Sequence, residues 1–465
     1  MARQNEPVVE EPTTAEYVAK NRLKEQDAPI HSWYRFVLSY PPHFVREWVE
    51  AFGADPERDW VLDPFCGTAT TPVEARLLCF RTLSLDANPI SVLATRVKLN
   101  WDINAETLDR MLDRILALAS AALERYDLQP FGSASSQLLL FEPAKRTVKD
   151  PEVGRKARAF SPEALLPEAS CALIPRGFIS EKPLLRTLAL RFAIEQECEE
   201  PEVRDFFLLA LANTIVSTAG NVGFGPEVYR KAPKDDADVL GSFASTVGAM
   251  VCDLRDVLAR LRHPLPEFHV FDDDARELTA LAHAPPAGVV ITSPPYPNEK
   301  DYTRATRLES VLLGLVKTKA QLRKLKSRLL RSNTRNVFAG DDDDEHVADI
   351  PAVVSLADTI EARRRKLGKT SGFERQYHRV VRLYFGGMWR HLAALMERLR
   401  PGARCAYLVG DQMSFFRIHI ATARVLADIA TRLGYFVEGI SLWRTRRATA
   451  TGENLEENVL ILRKP

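Results

Sequence analysis

Phe44, Trp48 and Phe52 recur at helical spacing, which predicts a helix with one buried face that stops at Gly53. The pattern then switches. Trp60-Val61-Leu62-Asp63 reads as a short buried strand, and it breaks into the small-residue run Pro64-Phe65-Cys66-Gly67-Thr68-Ala69-Thr70-Thr71. A helix restarts at Pro72, proline being tolerated in a first turn. The strand Arg81-Thr82-Leu83-Ser84-Leu85-Asp86 follows and ends in an acid. Strand, loop, helix and strand in that order make a βαβ unit of an open α/β sheet.

Residues 101–262 carry a different pattern. Leu108, Met111, Leu112 and Ile115 repeat at 3.6-type spacing, as do Phe206, Phe207, Leu209, Ala210, Ala212 and Ile215. With no strand alternation there, the region predicts a mainly helical insertion. Within it, 128–180 is Pro/Ser/Ala-rich and reads as a long loop or partly disordered segment. Strands return at 267–271 and 288–291. A basic helical stretch spans about 304–335, and the acidic run Asp341–Asp344 with Glu345 reads as a mobile loop. A helix at 377–399 leads into a strand at 405–409, and strands at 435–443 and 458–463 close the chain.

Composition narrows the class. The chain has 465 residues, a net charge of +1 and 46% hydrophobic residues, ordinary for a globular protein. No window approaches the ~18–20 apolar residues of a membrane span, and the polar N-terminus lacks a secretory h-region. No membrane association and a cytoplasmic location are expected. The six cysteines are scattered without a C-x-x-C pair, and the histidines show no ligand spacing, so no zinc site, disulfide frame or other metal is expected.

Three loops carry chemistry. The run 63–70 lets a ligand approach the backbone, with helix N-terminal N–H groups facing it; its other reading is an ordinary βα turn. It lacks the G-K-[ST] ending of a phosphate loop. Asp86-Ala87-Asn88-Pro89 puts an acid where ribose hydroxyls are accepted in nucleotide-type folds, although Asp86 or Asn88 could equally cap a helix. Thr292-Ser293-Pro294-Pro295-Tyr296 follows an apolar strand. Its prolines stiffen the loop and leave carbonyls as acceptors, Ser293 adds a hydroxyl, and Tyr296 adds a flat face for a planar ring. A rigid turn with a packing tyrosine is the bland alternative.

Taken in order, the blocks DPFCGTAT, LDANP, DDDAR and TSPPY resemble the amino-methyltransferases that act on exocyclic amines of DNA bases. The serine of the fourth block is similar to the cytosine-N4 subgroup; adenine-N6 enzymes more often carry Asp or Asn there. Ser39-Tyr40-Pro41-Pro42-His43-Phe44 looks like an additional cofactor block, and Tyr302-Thr303-Arg304-Ala305-Thr306-Arg307 like the block after the catalytic loop. Leu408-Val409-Gly410-Asp411 and Glu457-Asn458-Val459-Leu460-Ile461 resemble later core strands. The likeness covers about 31–100 and 265–465 and is weak over 101–262. Ala69 departs from the glycine usual at its position.

The resemblance implies a Rossmann-like S-adenosylmethionine-dependent methyltransferase sheet (α/β) with a largely helical insertion. Its expected parts are a flexible arm (1–28), a cofactor half (29–100), the insertion (101–262), a catalytic half (263–310), a basic insertion (311–375) and a C-terminal core (376–465). S-adenosylmethionine is the implied cofactor. Its implied contacts are Tyr40, Pro42, Asp63, Phe65, Cys66, Gly67, Thr68, Thr70, Asp86, Asn88, Asp274 and Ala275, with Asp86 on the ribose and Asp274 accepting the adenine amine. Ser293, Pro294, Pro295 and Tyr296 would hold the target base, flipped out of a duplex. Such a site-specific enzyme belongs to restriction-modification or phage defence, with a cognate restriction nuclease as its implied partner. Adenine-N6 in DNA, an RNA base, and a non-catalytic DNA-recognition subunit stay open.

DNA needs positive charge. Ten basic residues lie between 304 and 335, opposed by Glu309 alone, and Arg363–Lys366 with Lys369 form a second cluster. Arg304, Arg307, Arg323, Lys324, Arg328 and Arg331 are the expected phosphate contacts, against the usual reading of a charge run as a solvated face.

Overall fold

Strand β1 (Trp60–Asp63) is buried at every position and is the third strand of a seven-stranded sheet, paired on both sides. The computed structural model describes residues 23–35, 39–128, 159–224, 227–261, 264–298, 300–447 and 452–465. Around β1, the strands β2 (Arg81–Asp86), β5 (Phe268–Asp272), β6 (Ala287–Thr292) and β7 (Leu399–Gly410) run parallel. Strands β8 (Phe436–Arg447) and β9 (Asn454–Arg463) are antiparallel, giving the order β5-β2-β1-β6-β7-β9-β8. This is the expected Rossmann-like sheet, extended at one edge by a hairpin that slots β9 between β7 and β8. The chain leaves β1 toward β2 and later returns to β6 on its other side. The carboxyl ends of β1 and β6 therefore flank the switch point, where open α/β sheets bind ligands.

Side chains alternate across the sheet as strand geometry requires. Val61, Val289, Ile291, Ala406 and Leu408 face helix α1 (Pro42–Ala51) through Phe44 and Val45. Leu62, Leu83, Val290, Tyr407 and Val409 face the opposite layer, which includes α10 (Tyr377–Met396) and α11 (Thr422–Arg432). Helices α2 (Thr70–Leu77) and α3 (Pro89–Leu99) follow β1 and β2. Helix α3 shares a large core with the insertion helices α4 (Ala105–Glu124), α5 (Glu181–Glu197), α6 (Pro201–Thr214) and α7 (Val239–Arg260). Among the described residues, no helix is long and apolar enough to cross a membrane.

Four sequence expectations need correction. The insertion holds a small hairpin, β3 (Val222–Phe224) with β4 (Val228–Arg230), whose three-residue strands are too short to show alternation. Of the segment 128–180, residues 129–158 lie outside the described residues. Residues 159–180 are packed: Phe160, Leu166, Leu173 and Phe178 are buried, around short helices at Pro162–Leu165 and Glu168–Cys171. The basic stretch is not one helix. It divides into turns at Tyr302–Ala305 and Arg307–Leu312 and then α8 (Lys319–Ser327), broken at Gly314 (φ +74°), where Arg191 packs too close for a side chain. The acidic run is not a free loop. Asp343 is buried between Arg276 and Arg390 at 2.7 Å each, and Asp341 binds Arg331, so opposite charge folds the run down ahead of α9 (Pro351–Lys366). In the N-terminal arm, residues 1–22 are outside the described set, while Asp27 is buried against Arg46.

Candidate functional site

One cavity of about 300 Å³ opens where β1 and β6 end. Cys66 and Ser293, 227 positions apart in the chain, both line it. The tie between the two loops is direct: the Thr292 hydroxyl donates to Asp63 Oδ1 at 2.6 Å. Asp63 also accepts from Tyr40 Oη (2.9 Å) and from the Phe65 amide (3.1 Å). Burial pushes its carboxyl up to about 6, and these donors pull the other way. Asp63 is fully buried and absent from the cavity wall, so it fastens the loops together from behind.

The loop after β1 is held from several sides. Gly67 and Asn88 amides donate to the two oxygens of Asp86 at 3.0 and 2.8 Å. Lys98 is buried and donates to the carbonyls of His31, Tyr34 and Thr68, stitching the N-terminal segment to the loop. Three carbonyls match the three protons of an ammonium, while burial draws the Lys98 pKa down to about 7. Ala69 sits at φ +72°, the left-handed region where glycine is at ease, which accounts for the glycine usual at this position and leaves the alanine strained.

On the opposite wall the Ser293 hydroxyl donates to the Leu408 carbonyl at 2.9 Å, so its oxygen can only accept from any other group. Tyr296 Oη lies 3.4 Å from it. Burial, and then Glu457, hold the Tyr296 phenol well above its ordinary pKa, so it stays neutral. Gly410 lies under this ring: a Cβ there would meet Tyr296 Cε2 at 2.8 Å, so only glycine leaves room.

Of the expected cofactor residues, Tyr40, Phe65, Cys66, Gly67, Thr68, Thr70, Asp86, Asn88 and Ala275 line the cavity, as do all four residues Ser293–Tyr296. Pro42 does not; it opens α1 and is buried. Asp274 does not either. Both its oxygens are taken by the Arg276 guanidinium, at 2.6 Å for the closest pair, so the expected contact to an adenine amine loses its acceptor. Ala275 does line the wall, and its carbonyl is gripped by buried His391 Nδ1 at 2.7 Å while Tyr407 Oη meets Nε2 at 2.7 Å. A carbonyl can only accept, so the Nδ1–H tautomer follows, and burial keeps the ring neutral with a pKa near 4.

Sequence reading missed part of the wall. Lys300, Ser332, Asn336, Arg444 and Arg446 also line it, as does Glu457, expected only in a core strand; Ser39 joins them from the cofactor-like block 39–44. The side-chain oxygens of Asn88 and Asn336 are buried with no hydrogen-bond partner in the protein, two orphan acceptors at one cavity. Arg444 and Arg446, two apart on a strand, share one face, a period-2 signal that was available in the sequence.

The expected phosphate contacts divide. Arg323 and Lys324 are exposed on α8. Arg328 lines the cavity and pairs with Asp272 at 2.7 Å. Arg304 pairs with Glu227 at 3.3 Å, and Arg307 bonds its own turn through Thr303. Arg331 is a correction: 2% exposed, clamped by Asp341 and by backbone carbonyls, it is an internal strut out of reach of a phosphate.

Comparison with known proteins bears on this geometry. The chain is 29% identical over 119 residues to type II methyltransferase M.BsoBI of Geobacillus stearothermophilus, covering 25% of this chain and 23% of that one. It is 25% identical over 185 residues to type II methyltransferase M.AvaI of Nostoc sp., covering 38% of each. The chain thus matches well under half the length of these relatives. No family model matches it. TrmN of Thermus thermophilus, a solved structure, overlays with a TM-score of 0.27 at 11% identity, over 91% of this chain and 49% of that one, too loosely to bear on the site.

Proposed function

We propose that this chain is an S-adenosylmethionine-dependent, site-specific DNA methyltransferase acting on the exocyclic N4 amine of cytosine, as the modification partner of a restriction nuclease. The observation that carries the reading is the shared cavity, with the TSPPY loop joined to the β1 loop through the 2.6 Å bond between Thr292 and Asp63. Similarity to type II methyltransferases supports the reaction class.

The wall fits the cofactor. Asp86 offers a carboxylate for ribose hydroxyls, Asn88 an orphan buried acceptor, and Phe65 with Cys66 an apolar lining for the methionine end. When bound, S-adenosylmethionine supplies an electrophilic sulfonium methyl. The protein's own work is alignment. A base amine is a weak nucleophile because its lone pair is delocalised into the ring. Ser293, whose proton is committed to Leu408, accepts one amine N–H. The Pro294 carbonyl accepts the other, favouring the pyramidal nitrogen whose lone pair can attack. Everting the base costs a few kcal/mol, and stacking on neutral Tyr296 returns about 1–3 kcal/mol. No strong base is needed, since the methylated amine is cationic and releases its proton to water.

The test is product analysis. The pure chain is incubated with labelled cofactor and either unmethylated genomic DNA or total RNA, and the nucleosides are identified by mass spectrometry. N4-methylcytosine from DNA is expected. Label confined to RNA sinks the DNA reading; N6-methyladenine sinks the choice of base.

A further inference from the structure

The wall beside Ser293 carries an excess of positive charge that the methyl-transfer reading leaves unused. Lys300, Arg444 and Arg446 line it, and Glu457 is the one carboxylate among its described residues on that side. The register of the terminal hairpin explains the gathering. Arg444 lies directly across from Glu457, two residues before Arg446 on the same face of β8. Both strands bring these residues to the end of the sheet where β7 finishes at Gly410, beneath Tyr296.

The three cations are not equally spent. Arg444 is ion-paired with Glu457. Arg446 Nε stands 3.5 Å from the other oxygen of Glu457, and its Nη2 donates to the Asp411 carbonyl at 2.7 Å. Lys300 is half-buried, and its ammonium has no carboxylate within ion-pair distance among the described residues. Burial, and then Arg446, push its pKa down. Nearby, Arg304 and Arg335 share Glu227 at 3.3 and 3.5 Å. The five cations thus face two carboxylates. Like charges gathered in a partly desolvated site are costly without a counter-anion, and such sites are where ligands bind.

We propose that Lys300 and Arg446 take a backbone phosphate of the strand that delivers the target base, with Arg444 holding Glu457 clear of it. The ligand is a phosphodiester: a mono-anion whose two free oxygens match one ammonium and one guanidinium. This clamp rests on the nucleic-acid reading above and deepens it. It fixes the strand next to the cavity itself, whereas exposed Arg323 and Lys324 lie out on α8.

The experiment uses the full chain with cofactor product bound and an unmethylated DNA duplex containing the sequence that the chain methylates. Affinity is read from 50 to 200 mM salt for wild type, Lys300→Ala, Lys300→Arg and Arg446→Gln, with cofactor affinity and melting temperature as controls. Each neutral variant is expected to bind DNA roughly tenfold more weakly and to flatten the log–log salt slope by about 1, with cofactor affinity unchanged in both and melting unchanged in Lys300→Ala, while Arg446→Gln also gives up its bond to the Asp411 carbonyl. Lys300→Arg restores the slope, which a mere packing role does not predict. Wild type that binds while the neutral variants match it in affinity and slope overturns the clamp alone. A wild-type chain that binds no polynucleotide overturns the clamp together with the reading it rests on.

Discussion

The core around β1 and the basic segment 302–336 line the same cavity but relate differently to their sequences. In the core, a residue's type foretells its position: small residues at 64–70 form the loop, the acid ending β2 reaches the wall, and prolines stiffen the loop after β6. In the basic segment, arginines that look alike do unlike things. Arg331 is buried and bound internally, Arg328 is paired at the wall, and Arg323 is exposed. Local geometry decides the first region. In the second, carboxylates decide, and they are supplied from elsewhere: Asp341 for Arg331, Asp272 for Arg328, Glu227 for Arg304.

The sharpest way to break this contrast is to remove one arginine of each kind. Arg331→Ala leaves Asp341 buried without its partner and frees several carbonyls. Removing one partner of a buried pair typically costs about 3–5 kcal/mol. Arg323→Ala should stay within about 0.5 kcal/mol. Urea melts read both. Paired charge reversal of Arg323 and Lys324 should instead lower the slope of DNA binding against salt while leaving the melt alone. Equal stability losses for Arg331 and Arg323 would erase the distinction between a buried strut and an exposed cation resting on the Phe338 ring.

This is also why the fold was more legible than the site. Buried runs such as Val61–Leu62 and Val289–Ile291 announce strands, because a parallel sheet covered on both faces needs apolar residues throughout. The loops at the strand ends were legible because glycine, proline and a terminal acid have local causes. Partners were not. Lys98 meets Thr68, Arg276 meets Asp343, and Arg444 joins Lys300 at one wall only through the tertiary arrangement. The block around Asp274 suggests a ligand acceptor, and its sequence alone does not reveal that Arg276, two residues on, folds back to take both oxygens.

A second test divides the two walls of the core. Ser293→Ala removes one acceptor for the target amine and should lower turnover by about 10²–10³-fold, the range for losing one transition-state hydrogen bond. Cofactor affinity should change little. Asp86→Asn should do the reverse, weakening cofactor binding by roughly tenfold or more. Burial raises the Asp86 carboxyl to about 6. Its ionised, accepting form is therefore full above that pH and lost as pH falls through it. Wild-type cofactor affinity should decline below about pH 6, and Asp86→Asn should flatten that decline. Calorimetry from pH 5 to 8 reads this, and a decline that persists unchanged in the variant would move the titration elsewhere, with Asp63 the first suspect.

The smallest expected effect concerns Ala69, where the core's local logic is strained. An alanine at φ +72° costs about 1–2 kcal/mol relative to an ordinary backbone, which Ala69→Gly would relieve. Two terms oppose that gain: glycine's extra freedom when unfolded, about 0.5–1 kcal/mol, and the loss of one buried methyl, about 0.8 kcal/mol. Ala69 is fully buried against α3 and the insertion helices, so the second term applies in full. The balance lies within about 1 kcal/mol of zero, and cofactor affinity should hold within a few-fold. A loss well beyond that range would mean the methyl is a packing element of the loop, and the conformational reading of this position would fail.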